Sequence, residues 1–156
     1  MAIHVVLVHP GIHWNTGNAG RTCLATAATL HLVEPLGFSL DERQVKRAGL
    51  DYWEHVDLRV WPSWNAFEAE LANLGEPFFF STKGTRLFWD APLGAAADVV
   101  LIFGRETGGL PADLHQRYRD RFLAMPILSP RVRSLNLSTS VGIAVYEVLR
   151  QRARRP

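Results

Sequence analysis

Short apolar runs alternate along the chain with stretches of helical spacing. Residues 3–8, Ile-His-Val-Val-Leu-Val, are rich in β-branched side chains and predict a strand buried on both faces. After a Pro-Gly turn at Pro10 and Gly11, a helix is expected to open at Asn15, a good N-cap, and its apolar spacing continues through Leu24, Ala27 and Ala28. Leu32 and Val33 predict a second strand, Asp41 to Ala48 a short helix, Val56 to Trp61 a strand, and Ser63 to Leu74 a helix that starts on a serine cap. Phe78 to Ser81, Val99 to Phe103 and Phe122 to Met125 read as further strands. Between them, Leu87 to Pro92 is irregular and Pro111 to Tyr118 is helical. Residues 136–153 close the chain as a helix with the apolar stripe Leu137, Val141, Ala144, Val145 and Val148. This alternation predicts an α/β fold, a mainly parallel sheet with helices on both faces, in which ligands sit at the carboxyl ends of the strands.

Composition narrows the class. The 156 residues fit one domain spanning 1–156, and 47% apolar with 21% charged residues excludes a disordered or fibrous chain. No apolar run approaches the roughly 20 residues a membrane span needs. Met1 to Pro10 lacks a basic leader followed by a long apolar stretch, so the expectation is a cytoplasmic protein without a membrane partner. The single cysteine, Cys23, excludes internal disulfides, a Cys-x-x-Cys redox motif and a zinc site built on cysteines, and reads as a small helix-packing residue. The six histidines are scattered, none at a metal-ligand spacing, so no metal is expected.

Charge is unevenly placed. Residues 1–60 carry five basic against six acidic residues, residues 61–113 three against seven, and residues 114–156 nine against two. Fifteen of the 17 basic residues are arginine, the type suited to forked phosphate contacts and to stacking on bases. Arg117, Arg119, Arg121, Arg131 and Arg133 therefore point to nucleic acid. Arg150, Arg152, Arg154 and Arg155 have a plainer explanation, because cations favour a helix C-terminus.

Three segments at predicted strand ends are too rich in Gly, Asn, Ser and charge to be plain connectors. The first, Asn15-Thr16-Gly17-Asn18-Ala19-Gly20-Arg21, places Asn15, Asn18 and Arg21 three apart on one helix face beside free backbone N–H groups, a plausible anion site. The second, Phe103 to Pro111, follows the most apolar strand; its three glycines let backbone approach a ligand, and Glu106 is a lone carboxylate where burial without a partner is costly. The third runs from Met125-Pro126-Ile127 through Ser134-Leu135-Asn136-Leu137-Ser138, a pocket wall followed by a helix start that Ser134 and Asn136 can cap. P-loop, His-Glu-x-x-His, Gly-x-Ser-x-Gly and Gly-x-Gly-x-x-Gly patterns are absent.

In this order the three segments resemble the three motifs of the SPOUT superfamily of RNA methyltransferases. Glu34-Pro35-Leu36-Gly37-Phe38, Arg47-Ala48-Gly49-Leu50-Asp51-Tyr52, Thr82-Lys83-Gly84 and Tyr146-Glu147 extend the resemblance over nearly the whole chain. It is most similar to the small members that methylate the ribose 2′-hydroxyl of the wobble nucleotide, cytidine or uridine, in the tRNA anticodon loop. The resemblance implies a trefoil knot in the C-terminal half and a homodimer joined through the first and last helices. It also implies S-adenosylmethionine held by Phe80, Thr82, Gly104, Met125, Ile127 and Ser134. It assigns the reaction to Arg21, with Asn15, Glu106 and Asn136 orienting the groups around it. The anticodon stem-loop would lie along Arg43, Lys46, Arg47, Arg131 and Arg133.

A guanidinium does not deprotonate in proteins, so Arg21 suits stabilisation of a developing alkoxide, or a grip on the adjacent phosphate, better than the role of base. Other readings stay open at this point: another tRNA position or rRNA as substrate, a non-catalytic RNA-binding dimer, or a nucleotide-dependent oxidoreductase, which the missing glycine fingerprint disfavours.

Overall fold

The structure, a computed structural model, describes residues 1–41 and 51–154. The short helix expected over Asp41 to Ala48 lies outside the described residues beyond Asp41. Seven strands form one sheet: β1 (Ile3–Val8), β2 (Thr29–Val33), β3 (Leu58–Trp61), β4 (Glu76–Phe80), β5 (Arg86–Leu87), β6 (Val99–Phe103) and β7 (Phe122–Ala124). Their spatial order is β3-β2-β1-β6-β4-β7-β5, and every adjacent pair is parallel. The central strands are the most apolar runs: all six residues of β1, His4 included, and all five of β6 are buried. The edges are short and each carries an exposed arginine, Arg59 on β3 and Arg86 on β5, which discourages pairing with another chain.

Among the described residues, four helices cover the two faces. α1 (His13–Ala25) and α4 (Leu137–Ala153) pack on one face over Val5, Leu7, Leu30, Leu32, Leu101 and Phe103, and the predicted stripe of α4 is buried there. α2 (Trp64–Leu74) and α3 (Ala112–Arg117) cover the other face through Phe67, Leu71 and Leu114 against Val6, Val8, Val100 and Ile102. The two-sided coverage explains why these strands are apolar at nearly every position instead of alternating, with His4, Thr29 and His31 the buried polar exceptions. Cys23 is fully buried among these helices, and burial pushes its thiol up to about 12, in keeping with a packing residue.

Two boundaries differ from the expectation. α1 begins at His13 after an extended Ile12 that offers no side-chain cap, so Asn15 stands inside the first turn, 2% exposed. The helix ends at Ala25 instead of running to Ala28, because the Thr26 hydroxyl donates to the Thr22 carbonyl (2.7 Å) and Ala27 takes a positive φ of 54°. By contrast, Ser63 caps α2 as expected, its Oγ accepting from Ala66 N at 3.1 Å.

No helix among the described residues is long and apolar enough to cross a membrane.

Candidate active site

β6, β4 and β7 lie side by side and in parallel, so their carboxyl ends open at one edge of the sheet. The register pairs Phe80 with Phe103 and with Leu123, which puts Ser81, Gly104 and Ala124 at the next level and the three following loops together. Phe80 is 8% exposed and its ring stacks on Phe103 (centroids 4.7 Å apart), so the ring belongs to the core and the strand end contributes backbone. Thr82 is exposed in the first loop, while Met125 and Ile127 are half-buried in the loop after β7 and Ser134 is exposed near its end. Gly104 is buried where the chain doubles back: a Cβ there would stand 2.7 Å from the Gly109 Cα, and only glycine fits. Gly108 and Gly109, at φ 94° and 66°, make the turn that an Arg105–Gly109 bridge closes.

That turn delivers Glu106 to the start of α1. Its carboxylate accepts from Gly11 N (2.8 Å), Ile12 N (3.1 Å) and Asn15 Nδ2 (3.3 Å). The helix start that lacks a local cap is thus capped by a carboxylate from another loop, with negative charge at the positive helix end. Asn15 Oδ1 in turn accepts from Asn136 Nδ2 at 2.9 Å. Asn136 Oδ1 caps α4 by accepting from Ser138 N (3.0 Å) and Thr139 N (3.3 Å). One continuous network, Glu106–Asn15–Asn136, therefore ties all three motif segments together and fixes the starts of both α1 and α4.

Arg21 is not part of that network. It lies further along α1, exposed, with its guanidinium 5.7 Å from the centre of the Tyr52 ring. The Tyr52 hydroxyl donates to the Gly17 carbonyl (3.0 Å), and burial, opposed by the Arg21 charge, holds the phenol above its ordinary range. Beside it, the Trp53 ring presses on α1 so closely that a Cβ on Gly20 would come within 2.6 Å. Residues 52–53 thus clamp the part of α1 that carries Arg21. Sequence reasoning placed Tyr52 in a segment that carries the resemblance but gave neither it nor Trp53 a role; the signals were the adjacent aromatic pair and a first helix rich in small residues.

Arg131 and Arg133 are exposed on the loop before α4. Arg43, Lys46 and Arg47 lie outside the described residues. The basic group of the last third is divided by its partners: Arg117 pairs with Glu68 and Arg121 with Glu76, leaving Arg119, Arg131 and Arg133 without an ion-pair partner among the described residues. No group of three or more His, Cys, Asp or Glu placed to hold a metal occurs among the described residues. The six cofactor candidates carry no charge and combine half-buried apolar side chains with free hydroxyls and a close-packed glycine backbone, a donor set that fits an adenosine-bearing ligand.

The sequence profile of the SpoU rRNA Methylase family matches residues 2–146. A Burkholderia ambifaria protein described as a tRNA (cytidine(34)-2′-O)-methyltransferase is 44% identical over 149 residues, covering 95% of this chain and 94% of that one. A Bacillus subtilis protein with the same description, given provisionally, is 48% identical and covers 99% of this chain and 96% of its own. A solved structure concerned with the 2-OH methylation of C/U34 on tRNA superposes with a TM-score of 0.89 at 43% identity, over 99% of this chain and 98% of that one. Matched from end to end in sequence and in fold, the chain belongs to the SpoU methylase family.

Proposed function

We propose that this chain transfers a methyl group from S-adenosylmethionine to the ribose 2′-hydroxyl of nucleotide 34, cytidine or uridine, in the tRNA anticodon loop. The observation that carries the reading is the Glu106–Asn15–Asn136 network, which joins the three motif segments beside three adjacent strand ends in a chain 44% identical to a tRNA (cytidine(34)-2′-O)-methyltransferase. S-adenosylmethionine, when bound, supplies a sulfonium-activated methyl group. Phe80 and Gly104 offer it backbone groups, Thr82 and Ser134 hydroxyls, and Met125 and Ile127 apolar walls.

The chain's remaining task is positioning. Arg21 stays protonated and stabilises negative charge as it develops on the attacking ribose oxygen, while the hydroxyl proton leaves to water or to an RNA phosphate oxygen. Asn15, Glu106 and Asn136 do not reach the ribose in this account. They hold α1 in place, and Tyr52 limits where the guanidinium can swing.

The chain acts as one domain in the cytoplasm and pairs with a second copy. Trp14 and Leu24 on α1 and Ile143 and Tyr146 on α4 are large apolar side chains left exposed on the two packed helices, 59% and 57% for Trp14 and Tyr146, which supports an isologous contact there. A trefoil knot in the C-terminal half is supported by the sheet order, in which β7 inserts between β4 and β5, strands formed earlier in the chain. The β4–β5 loop lies so close that a Cβ on Gly84 would stand 2.7 Å from the Leu123 carbonyl oxygen. The arginines of the loop before α4 and Arg43, Lys46 and Arg47 face the anticodon stem-loop.

Calorimetry on the purified protein tests the cofactor half of the reading. Saturable S-adenosylmethionine binding without added metal is expected. Binding of NAD or NADP with none of S-adenosylmethionine would replace the methyltransferase by an oxidoreductase.

A further inference from the structure

A groove separate from the strand-end site runs along the other face of the sheet, where α2 no longer covers the edge. It is a cavity of about 360 Å³ lined by Lys83, Thr85, Ala112, His115, Gln116, Arg119 and Phe122. No carboxylate lines it. Neither Lys83 nor Arg119 has an ion-pair partner among the described residues, although the arginines on either side, Arg117 and Arg121, are both neutralised by glutamates. Two cations without an ion pair, in a groove that no carboxylate lines and beside arginines that are paired off, are the complement of an anion.

The rest of the lining is not that of a bare charge patch. The His115 ring lies against Phe122 with centroids 4.2 Å apart, and burial, then the Lys83 charge, lowers its pKa, so it is a neutral imidazole at pH 7 with one N–H to donate. Gln116 and Thr85 add neutral donors. Two cations, neutral donors and an aromatic floor in a volume of nucleotide size suit a sugar–phosphate unit better than a small inorganic anion. The groove also adjoins the strand-end site, because Lys83 directly follows Thr82.

We infer that this groove is an RNA backbone subsite, in which Lys83 and Arg119 hold a phosphodiester of the tRNA flanking the nucleotide to be methylated. It rests on the reading that the chain acts on tRNA, and it adds a contact that the arginines of the loop before α4 do not provide.

The test is tRNA binding by the full-length protein over a salt series, with wild type, Lys83→Ala, Arg119→Ala and the double variant, beside a methylation assay. Each lost phosphate contact should flatten the slope of log affinity against log salt by about 0.7 to 0.9, and the double variant should bind on the order of tenfold more weakly at about 0.1 M salt. KM for tRNA should rise with kcat and S-adenosylmethionine affinity unchanged, a split that a folding defect would not give. An unchanged slope and affinity in the double variant would overturn the subsite while leaving methylation by the wild type intact. Perturbation of His115 resonances by inorganic phosphate alone, with tRNA affinity unaltered in the variants, would reassign the groove to a free anion and equally overturn it. If the wild type methylates no tRNA yet its RNA affinity still depends on Lys83 and Arg119, the subsite stands and the enzymatic reading falls.

Discussion

Glu106 accepts from two backbone N–H groups and one side-chain amide at the start of α1, and no other side chain caps that helix. Glu106→Ala leaves Gly11 and Ile12 N–H without an acceptor in a part-buried place and should lower stability by about 1–3 kcal/mol in urea titration. Glu106→Gln retains one good acceptor and should lose less; equal stability of Glu106→Ala and wild type would remove the capping role. Arg21 makes the opposite demand. Its only described contact is with the Tyr52 ring, a cation–π pair worth about 0.5–1 kcal/mol when exposed, so Arg21→Ala should fold and bind S-adenosylmethionine almost normally. Single-turnover methylation should nevertheless slow by on the order of 10² or more, the scale on which losing a preorganised charge donor acts. Arg21→Lys should recover part of that rate if the role is purely electrostatic, and little if a forked grip is needed. An Arg21→Ala rate equal to wild type would end the catalytic assignment.

At the scale of elements, β1 and β2 share a buried hydrogen-bonded chain that no local pattern announces. Trp61 Nε1–H can only donate, so His31 Nδ1 accepts it (3.0 Å); His31 Nε2 therefore carries the proton and donates to His4 Nδ1 at 2.9 Å. Burial, then the His4 charge, lowers His31 to about 3, and burial with the Arg59 charge lowers His4. Both imidazoles are held neutral in the fold but protonate freely near 6.5 when it opens. Stability is therefore complete above about pH 6.5 and falls as pH drops through the window from 6.5 towards 3, since there the unfolded chain binds more protons. Urea midpoints at pH 7 and pH 5 check this, and identical midpoints would contradict it.

The same elements explain what could be read from sequence. β1 and β6 were legible because two-sided burial leaves them apolar at every position but His4, and the Ser63 and Asn136 caps because donor and acceptor are three or fewer residues apart. β5 was not, being two exposed residues, one charged, held only by β7. The start of α1 was misplaced at Asn15 because its cap comes from Glu106, 94 residues beyond Ile12. Asn15, Glu106 and Asn136 could be marked one by one as polar groups in unusual places. That they form one network depends on the sheet order bringing β1 beside β6, which spacing along the chain does not encode.

For the whole molecule, the sequence marks Arg117, Arg119, Arg121, Arg131 and Arg133 as one nucleic-acid group and sets the arginines of the last helix apart. Folding sorts the basic residues of the last third into arginines neutralised by Glu68, Glu76 and Glu147, and Arg119, Arg131 and Arg133, which have no ion-pair partner among the described residues. In the proposed function, the free cations are assigned to RNA, the strand-end site to the cofactor and the exposed apolar residues of α1 and α4 to a second copy. The claim that unites them is a single methyl transfer to one ribose. It is tested most directly by incubating the purified protein with tRNA and isotopically methyl-labelled S-adenosylmethionine, digesting the RNA and locating the label by mass spectrometry. One labelled methyl on the 2′-oxygen of nucleotide 34 is the predicted result. Label on a base or at another nucleotide, or no transfer by protein that binds both cofactor and tRNA, would contradict it.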